Sequence, residues 1–230
     1  MSNKYLILTV SLGNRPWFKR VKKLMKLYAK KCNSDFHAIT DNFQGDLQSR
    51  IRKLDVSNYL EKYDRVLYLD DTIIINPYSP NIFDIVPDNM LGIVLEKKPY
   101  YNKKDILLQS LRYYNSHIPK NITEDNYIWF NSGVILASKK HKKIFNKPNK
   151  IIKKIGNYVD QAILNSNRYK YNLPIIDLGL KYNYLGTRIT LQDPYKLDDV
   201  DNIYFYHVTR GLPNRQRKRA FEKILNIYGY

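Results

Sequence analysis

Short apolar runs and helical repeats alternate along the first seventy residues. Lys4–Ser11 carries YLILTV, apolar and partly β-branched, which predicts a buried first strand. Gly13, Asn14 and Arg15 form a loop, and Pro16 is placed to open a helix. Trp17, Val21, Met25 and Tyr28, together with Leu24 and Cys32, repeat at helical spacing as far as Lys31. Ser34–Thr40 (SDFHAIT) predicts a second strand. Leu47–Leu60 predicts a second helix, with Ile51, Leu54, Val56 and Leu60 partly periodic. Arg65–Asp71 (RVLYLDD) is a short apolar strand that stops in two acids. The order β-α-β-α-β predicts right-handed crossovers and a largely parallel arrangement of these strands. Ligands bind beyond the carboxyl ends of such strands, where Ser11 and Asp70 fall.

The later pattern is less regular. Thr72–Asn76 continues extended, and Pro77, Pro80 and Pro87 punctuate the next stretch of chain. Met90–Glu96, Trp129–Ala137, Leu173–Leu180 and Ile203–Val208 read as strands. A helix is expected within Asp105–Tyr114, a short one over Tyr158–Ser166, and a basic amphipathic one over Gln216–Tyr228. The polar, tyrosine-containing stretch 97–126 is a candidate acceptor-side loop or lid. No internal repeat and no linker divides the chain. One domain over residues 1–230 is expected, with a nucleotide-binding half of about 1–96 and an acceptor-side half of about 97–230.

Composition adds one question. The 230 residues carry a formal net charge of +18, while 43% apolar and 26% charged residues describe an ordinary globular chain. An anionic partner would account for the charge. A coding bias toward Lys, Asn, Ile and Tyr would do so equally, and the lysines are spread along the chain. The single cysteine, Cys32, excludes an internal disulfide and a cysteine-based zinc site. No apolar run reaches the length of a membrane span, and the first residues lack a convincing signal peptide. Asn121-Ile122-Thr123 matches a glycosylation acceptor, which without secretion is a chance match. The phosphate-binding and dinucleotide glycine loops, the serine nucleophile elbow and the paired-histidine zinc motif are all absent from the sequence.

The chemistry concentrates at strand ends. Two adjacent carboxylates, Asp70 and Asp71, close an apolar strand and need a compensating cation, basic side chain or water. A hard divalent metal shared with a diphosphate is one solution, and exposed surface acids are the other. His207 ends a later strand and is a competent metal ligand or a half-buried structural histidine. Arg210, Arg215, Arg217, Lys218 and Arg219, with Gly211, could wrap a diphosphate. Lys53 precedes the acidic strand end, within reach of a phosphate. Asn131, Ser132 and Gly133 interrupt an apolar run, as a ligand contact or a β-bulge would. Asp160 and Gln161 precede an apolar helical stretch.

Taken in order, these segments resemble glycosyltransferases of the GT-A fold, most of all the glycogenin-like family-eight group that uses nucleotide sugars. LTVSLGNRPW and YAKKCNSDFHAITD resemble the family's opening. RVLYLDDTIIIN resembles its Asp-x-Asp motif, WFNSGVILA its Asn-Ser/Ala-Gly strand, VDQAILN its Asp-Gln helix and YHVTRG its late histidine segment. The resemblance implies a mixed central sheet flanked by helices, with Thr9, Val10 and Ser11 near uridine and Arg15 beside them. It implies manganese or magnesium on Asp70, Asp71 and His207, and donor contacts from Lys53, Asp71, Ser132, Gly133, Arg210, Gly211 and Lys218. Asn131, Asp160 and Gln161 would orient sugar and acceptor, Asp160 standing nearest to a catalytic role. The implied reaction is retaining hexosyl transfer from a UDP-sugar, glucose or galactose favoured, to a glycan, protein or lipid-linked hydroxyl. Two departures stand out: Thr72 occupies the second aspartate position, and His207 and Gly211 are four apart where the pattern expects three. The first of these keeps a weakly active or inactive sugar-nucleotide-binding protein as the alternative. Nucleic-acid binding is disfavoured by the lack of a recognition motif. A soluble cytoplasmic location is expected, with peripheral membrane contact left open.

Overall fold

The computed structural model describes residues 4–41, 45–96, 103–114, 118–119, 122–123, 125–151, 158–185, 203–209 and 214–229. Its strands are β1 (Tyr5–Val10), β2 (Asp35–Ile39), β3 (Arg65–Asp70), β4 (Ile73–Ile75), β5 (Leu91–Leu95), β6 (Phe130–Ser138), β7 (Ile175–Asp177), β8 (Tyr184–Leu185) and β9 (Phe205–His207). Its α-helices, in chain order, are α1 (Phe18–Lys31), α2 (Asp46–Ile51), α3 (Val56–Tyr59), α4 (Ile82–Ile85), α5 (Lys104–Tyr113), α6 (Val159–Lys170) and α7 (Asn214–Ile227).

The main sheet runs β2-β1-β3-β6-β5-β7, and a smaller sheet runs β4-β9-β8. β1 pairs in parallel with both β2 and β3, as the opening β-α-β-α-β pattern predicts. β6 then pairs antiparallel with β3 and β5, so the sheet is mixed. β1, β3, β5 and β6 are buried on both faces, while the edge strands β2 and β7 are partly exposed. One face packs on α1, α7 and the small sheet through Val21, Met25, Phe205 and Phe221. The other packs on the α2–α3 segment and α6 through Leu54, Val56, Ile163 and Leu164.

Three registers bring distant segments to one place. Val10 stands opposite Asp70, so β1 and β3 end side by side. Ile73 stands opposite His207, so the turn at Asp71-Thr72 carries the chain from β3 into β4, which lies beside β9, the strand that delivers the histidine. Leu69 stands opposite Val134, which sets Asn131, Ser132 and Gly133 just beyond the end of β3. The register between β5 and β6 shifts here: Ile93 faces Ile135, but the next residue, Val94, faces Asn131. The interruption in the apolar run is therefore a bulge at the strand end.

Several expectations need correction. The helix over Leu47–Leu60 is broken into α2, a 3-10 turn at Arg52–Asp55, and α3. Lys53, Leu54 and Asp55 are all buried in that turn, and the junction residues Ile51, Arg52, Asp55 and Val56 all keep right-handed helical dihedrals, so the helix tightens locally rather than ending. The strand over Leu173–Leu180 shortens to β7 and is followed by a 3-10 turn at Leu180–Tyr182. α6 runs past Ser166 to Lys170, and β8 has no counterpart in the apolar pattern.

Candidate active site

At the junction of the two sheets lies a cleft of about 560 Å³, lined by Val10, Arg15, Lys53, Asp70, Asp160 and His207 among others. Its floor is built around Lys53, which is only 4% exposed. The ammonium donates to Asp160 Oδ2 at 2.7 Å and to Ser132 Oγ at 2.9 Å, and stands 3.0 Å from Asp70 Oδ1. Three donors thus meet three acceptors. Ser132 Oγ donates its own proton to Asp160 Oδ2 at 3.0 Å, and Tyr68 Oη donates to Asp70 Oδ1 at 2.8 Å. Burial works to lower the Lys53 pKa, but Asp160 and Asp70 outweigh that effect and raise it. Burial likewise opposes ionisation of Asp70, yet Lys53 and His207 prevail and hold its carboxyl below the usual value. Two carboxylates around one ammonium leave a negative charge over.

The protonation of His207 is set by a chain of hydrogen bonds. Asn131 Oδ1 accepts the Gly133 backbone N–H at 2.8 Å, and Asn131 Nδ2 donates to Glu96 Oε1 at 2.9 Å. These contacts fix the orientation of the Asn131 amide. Asn183 Nδ2 therefore donates to Asn131 Oδ1 at 2.8 Å, leaving Asn183 Oδ1 to accept. Its partner is His207 Nδ1 at 2.8 Å, so Nδ1 carries the proton. Burial pushes the imidazole pKa down to about 4, against the opposing pull of Asp70, so the ring is neutral at pH 7. His207 Nε2 then presents a lone pair to Asp70 Oδ2 at 3.5 Å. Two electron-rich atoms face each other beside Lys53, in a cleft whose four acids (Asp70, Asp71, Glu96 and Asp160) are balanced overall by Arg15, Arg50, Lys53 and Lys103.

Asp70 and His207 are the two cleft residues whose oxygen and nitrogen could hold a divalent cation. Among the described residues, no group of three or more His, Cys, Asp or Glu side chains gathers around a point suited to a metal. Asp71 is engaged elsewhere: its Oδ2 accepts from Arg15 Nε at 2.9 Å. Burial, and Asp70 alongside, still raise the Asp71 carboxyl despite Arg15.

Gly133 is set by the same histidine. A Cβ at this position would lie 2.5 Å from His207 Cε1 and 2.7 Å from Nδ1, closer than real atoms approach. Only glycine leaves room for the ring.

No protein-family model matches the chain, and no curated protein matches it significantly. Solved structures do match. The galactosyltransferase LgtC, in complex with donor and acceptor sugar analogues, superposes with a TM-score of 0.62 at 16% identity, over 96% of this chain and 95% of its own. A glycosyltransferase involved in glycosylation of the major capsid of PBCV-1 gives 0.58 at 14% identity, over 96% and 99%. Mouse xyloside xylosyltransferase 1 gives 0.51 at 13% identity, over 91% and 99%. The fold is GT-A.

Within this GT-A fold the sequence-derived candidates separate cleanly. Val10, Arg15, Lys53, Asp70, Asp71, Asn131, Ser132, Asp160, Gln161 and His207 all line the cleft. Gly133 backs His207 from beneath. Thr9 is wholly buried in β1 and Ser11 nearly so, and neither is among the lining residues, whereas Val10 and Leu12 are. Strand alternation explains the difference. Lys218 is exposed on α7 and does not line the cleft. Arg210 and Gly211 lie outside the described residues, as does much of the stretch 97–126.

Two further residues complete the site. Glu96 is buried at the end of β5 and accepts from Asn131, from Gln161 Nε2 at 3.1 Å and from Trp129 Nε1 at 3.0 Å. It is an acid closing an apolar strand, the same signal that marks Asp70. Asn183 comes after a 3-10 turn in a tyrosine-rich stretch, where no sequence signal announces it.

Proposed function

We propose that this chain is a glycosyltransferase that moves a hexose, glucose or galactose favoured, from a UDP-sugar to an acceptor hydroxyl with retention of configuration. The observation that carries the proposal is the facing pair of Asp70 Oδ2 and His207 Nε2, 3.5 Å apart, beside buried Lys53. The GT-A fold shared with three solved glycosyltransferases adds support. The acceptor would be a glycan, a protein or a lipid-linked sugar.

Manganese or magnesium held by Asp70 and His207 would supply positive charge against the diphosphate leaving group. The protein's own groups do the rest. The sugar C1–O bond to the diphosphate breaks, the acceptor oxygen bonds to C1 on the same face, and the acceptor proton passes to the departing phosphate oxygen. No protein nucleophile is required. Lys53 holds Asp70 and Asp160 in place and adds a fixed positive charge to the cleft floor. Glu96 orients the amides of Asn131 and Gln161, which would meet sugar hydroxyls. Arg15 and Asp71 close the side next to β1, where the nucleotide would lie. Arg210 and Gly211 are proposed for the diphosphate, whereas Lys218 stands outside the cleft.

The test is UDP release from UDP-glucose and UDP-galactose in the presence of manganese. Asp160→Asn should lower turnover on the order of a hundredfold, the scale of a lost positioning contact. Full activity in that variant would remove Asp160 from the mechanism, and undiminished transfer under a chelator would remove the cation.

A further inference from the structure

The net charge of +18 is not spread evenly over the folded surface. α1 has fourteen residues, FKRVKKLMKLYAKK, of which seven are basic and none is acidic. α7 also has fourteen, NRQRKRAFEKILNI, with five basic residues and one acid, Glu222. These two helices carry eleven of the eighteen net positive charges. A third basic stretch, Lys139–Lys154, has eight lysines and no acid, but Lys139, Lys142 and Lys147 pair there with Asp64, Glu61 and Asp55.

The two helices form one continuous surface. Trp17 stacks on Phe221 with ring centroids 4.7 Å apart, and Arg217 lies 4.9 Å over the Trp17 ring. Arg20 spans the seam, donating to Glu222 Oε2 at 2.8 Å and to Asn226 Oδ1 at 3.1 Å. The single acid of the pair is thereby occupied. Val21, Leu24, Met25 and Tyr28 face the core, which turns Lys19, Lys23, Lys26, Lys30 and Lys31 to solvent. Arg215, Lys218 and Arg219 are exposed on α7.

Apolar side chains stand within this basic field. Leu27 is 46% exposed and has Lys23, Lys30 and Lys31 as its helical neighbours. Ile227 is also 46% exposed and sits next to Asn226, the residue held by Arg20. Tyr78 is 82% exposed, next to Pro77, whose carbonyl accepts from Lys31 Nζ. A nucleic acid would use the charge and find no role for an exposed leucine and isoleucine. An anionic bilayer uses both, phosphates for the lysines and acyl chains for the aliphatic tips.

We infer that the outer face of α1 and α7 is a docking surface for an anionic lipid bilayer. Attachment is peripheral, since no helix among the described residues is long and apolar enough to cross a membrane. The inference goes beyond sugar transfer and stands without it.

The experiment is sedimentation of the full chain with phosphatidylcholine vesicles, with and without one third phosphatidylglycerol, at low and at near-physiological salt. The wild type should bind only the anionic vesicles, more weakly as salt rises. Replacing Lys19, Lys26 and Lys30 together by Gln should lower the partition coefficient on the order of a hundredfold, about fivefold per charge. Leu27→Gln should lower it about threefold to tenfold while leaving any binding to single-stranded RNA unchanged. All four residues lie outside the cleft, so the variants should keep the wild-type melting temperature and UDP affinity. Absence of anionic-vesicle binding, an unaffected triple variant, an unaffected Leu27→Gln, or tighter binding to RNA than to vesicles would each overturn the inference.

Discussion

The hydrogen-bond chain that protonates His207 on Nδ1 makes a specific demand on Asn183. This residue is 1% exposed and touches neither a sugar nor a phosphate in the proposed mechanism. Asn183→Leu keeps the number and branching of side-chain heavy atoms and deletes the acceptor that lies 2.8 Å from Nδ1. The proton then has a better home on Nε2, where it can reach Asp70 Oδ2 across 3.5 Å. That shift uses up the lone pair and one carboxylate oxygen at once, and cation binding must reverse it. Leaving a buried donor unsatisfied costs about 1–3 kcal/mol. At about 1.4 kcal/mol per factor of ten, manganese affinity should fall between about fivefold and a hundredfold, as for other groups that orient a ligating histidine. Calorimetric titration of manganese into the UDP-saturated protein measures the loss, and nitrogen NMR of the imidazole reads the tautomer. Unchanged affinity together with a proton still on Nδ1 would show that the chain of amides does not govern the histidine.

The same geometry has other consequences. Gly133→Ala places a Cβ 2.5 Å from His207 Cε1, about 1 Å inside contact distance, so the ring must turn and leave Asn183. A stability loss of about 1–3 kcal/mol and at least a tenfold loss of manganese affinity are expected, read by urea denaturation and titration. Lys53→Met strands Asp70 and Asp160 without their buried partner and should lower the unfolding free energy by about 3–5 kcal/mol; a loss under about 1 kcal/mol would contradict the reading. His141, away from the cleft, is buried as the neutral ring, its Nδ1 accepting from the Ser138 N–H and its Nε2 facing Asn89 O. Burial lowers its pKa in the folded state from 6.5, so the unfolded chain takes up the proton first as pH falls. Its stabilisation is complete above pH 6.5 and fades below it, and His141→Gln should show a smaller drop in melting temperature between pH 7 and pH 5 than the wild type.

The strands that shape the cleft are legible because they are continuous apolar runs bounded by sharp polar signals. YLILTV and RVLYLDD name β1 and β3, and the acids mark the end that matters. The meeting of Asp70 with His207 is less visible, because it depends on the Ile73–His207 register between strands far apart in the chain. Asn183 carries no local signal at all, since its role comes from the amide and imidazole on either side. Glu96 is within reach of the rule that marks Asp70, an acid that closes an apolar strand. The segment over Leu47–Leu60 tightens into a 3-10 turn at Arg52–Asp55, a change of hydrogen-bond pattern that apolar spacing does not report. The concentration of charge on α1 and α7 is divided between segments nearly two hundred residues apart, and only their packing joins it.

The proposed mechanism turns on a cation that Asp70 and His207 share beneath the diphosphate of a UDP-sugar. Calorimetric titration of UDP, with and without manganese, into the wild type and into Asp70→Asn reads that cation without waiting for turnover. Manganese should tighten UDP binding to the wild type by tenfold or more and leave Asp70→Asn unaffected. UDP binding that ignores both manganese and the Asp70 substitution, or no UDP binding at all, would contradict the mechanism.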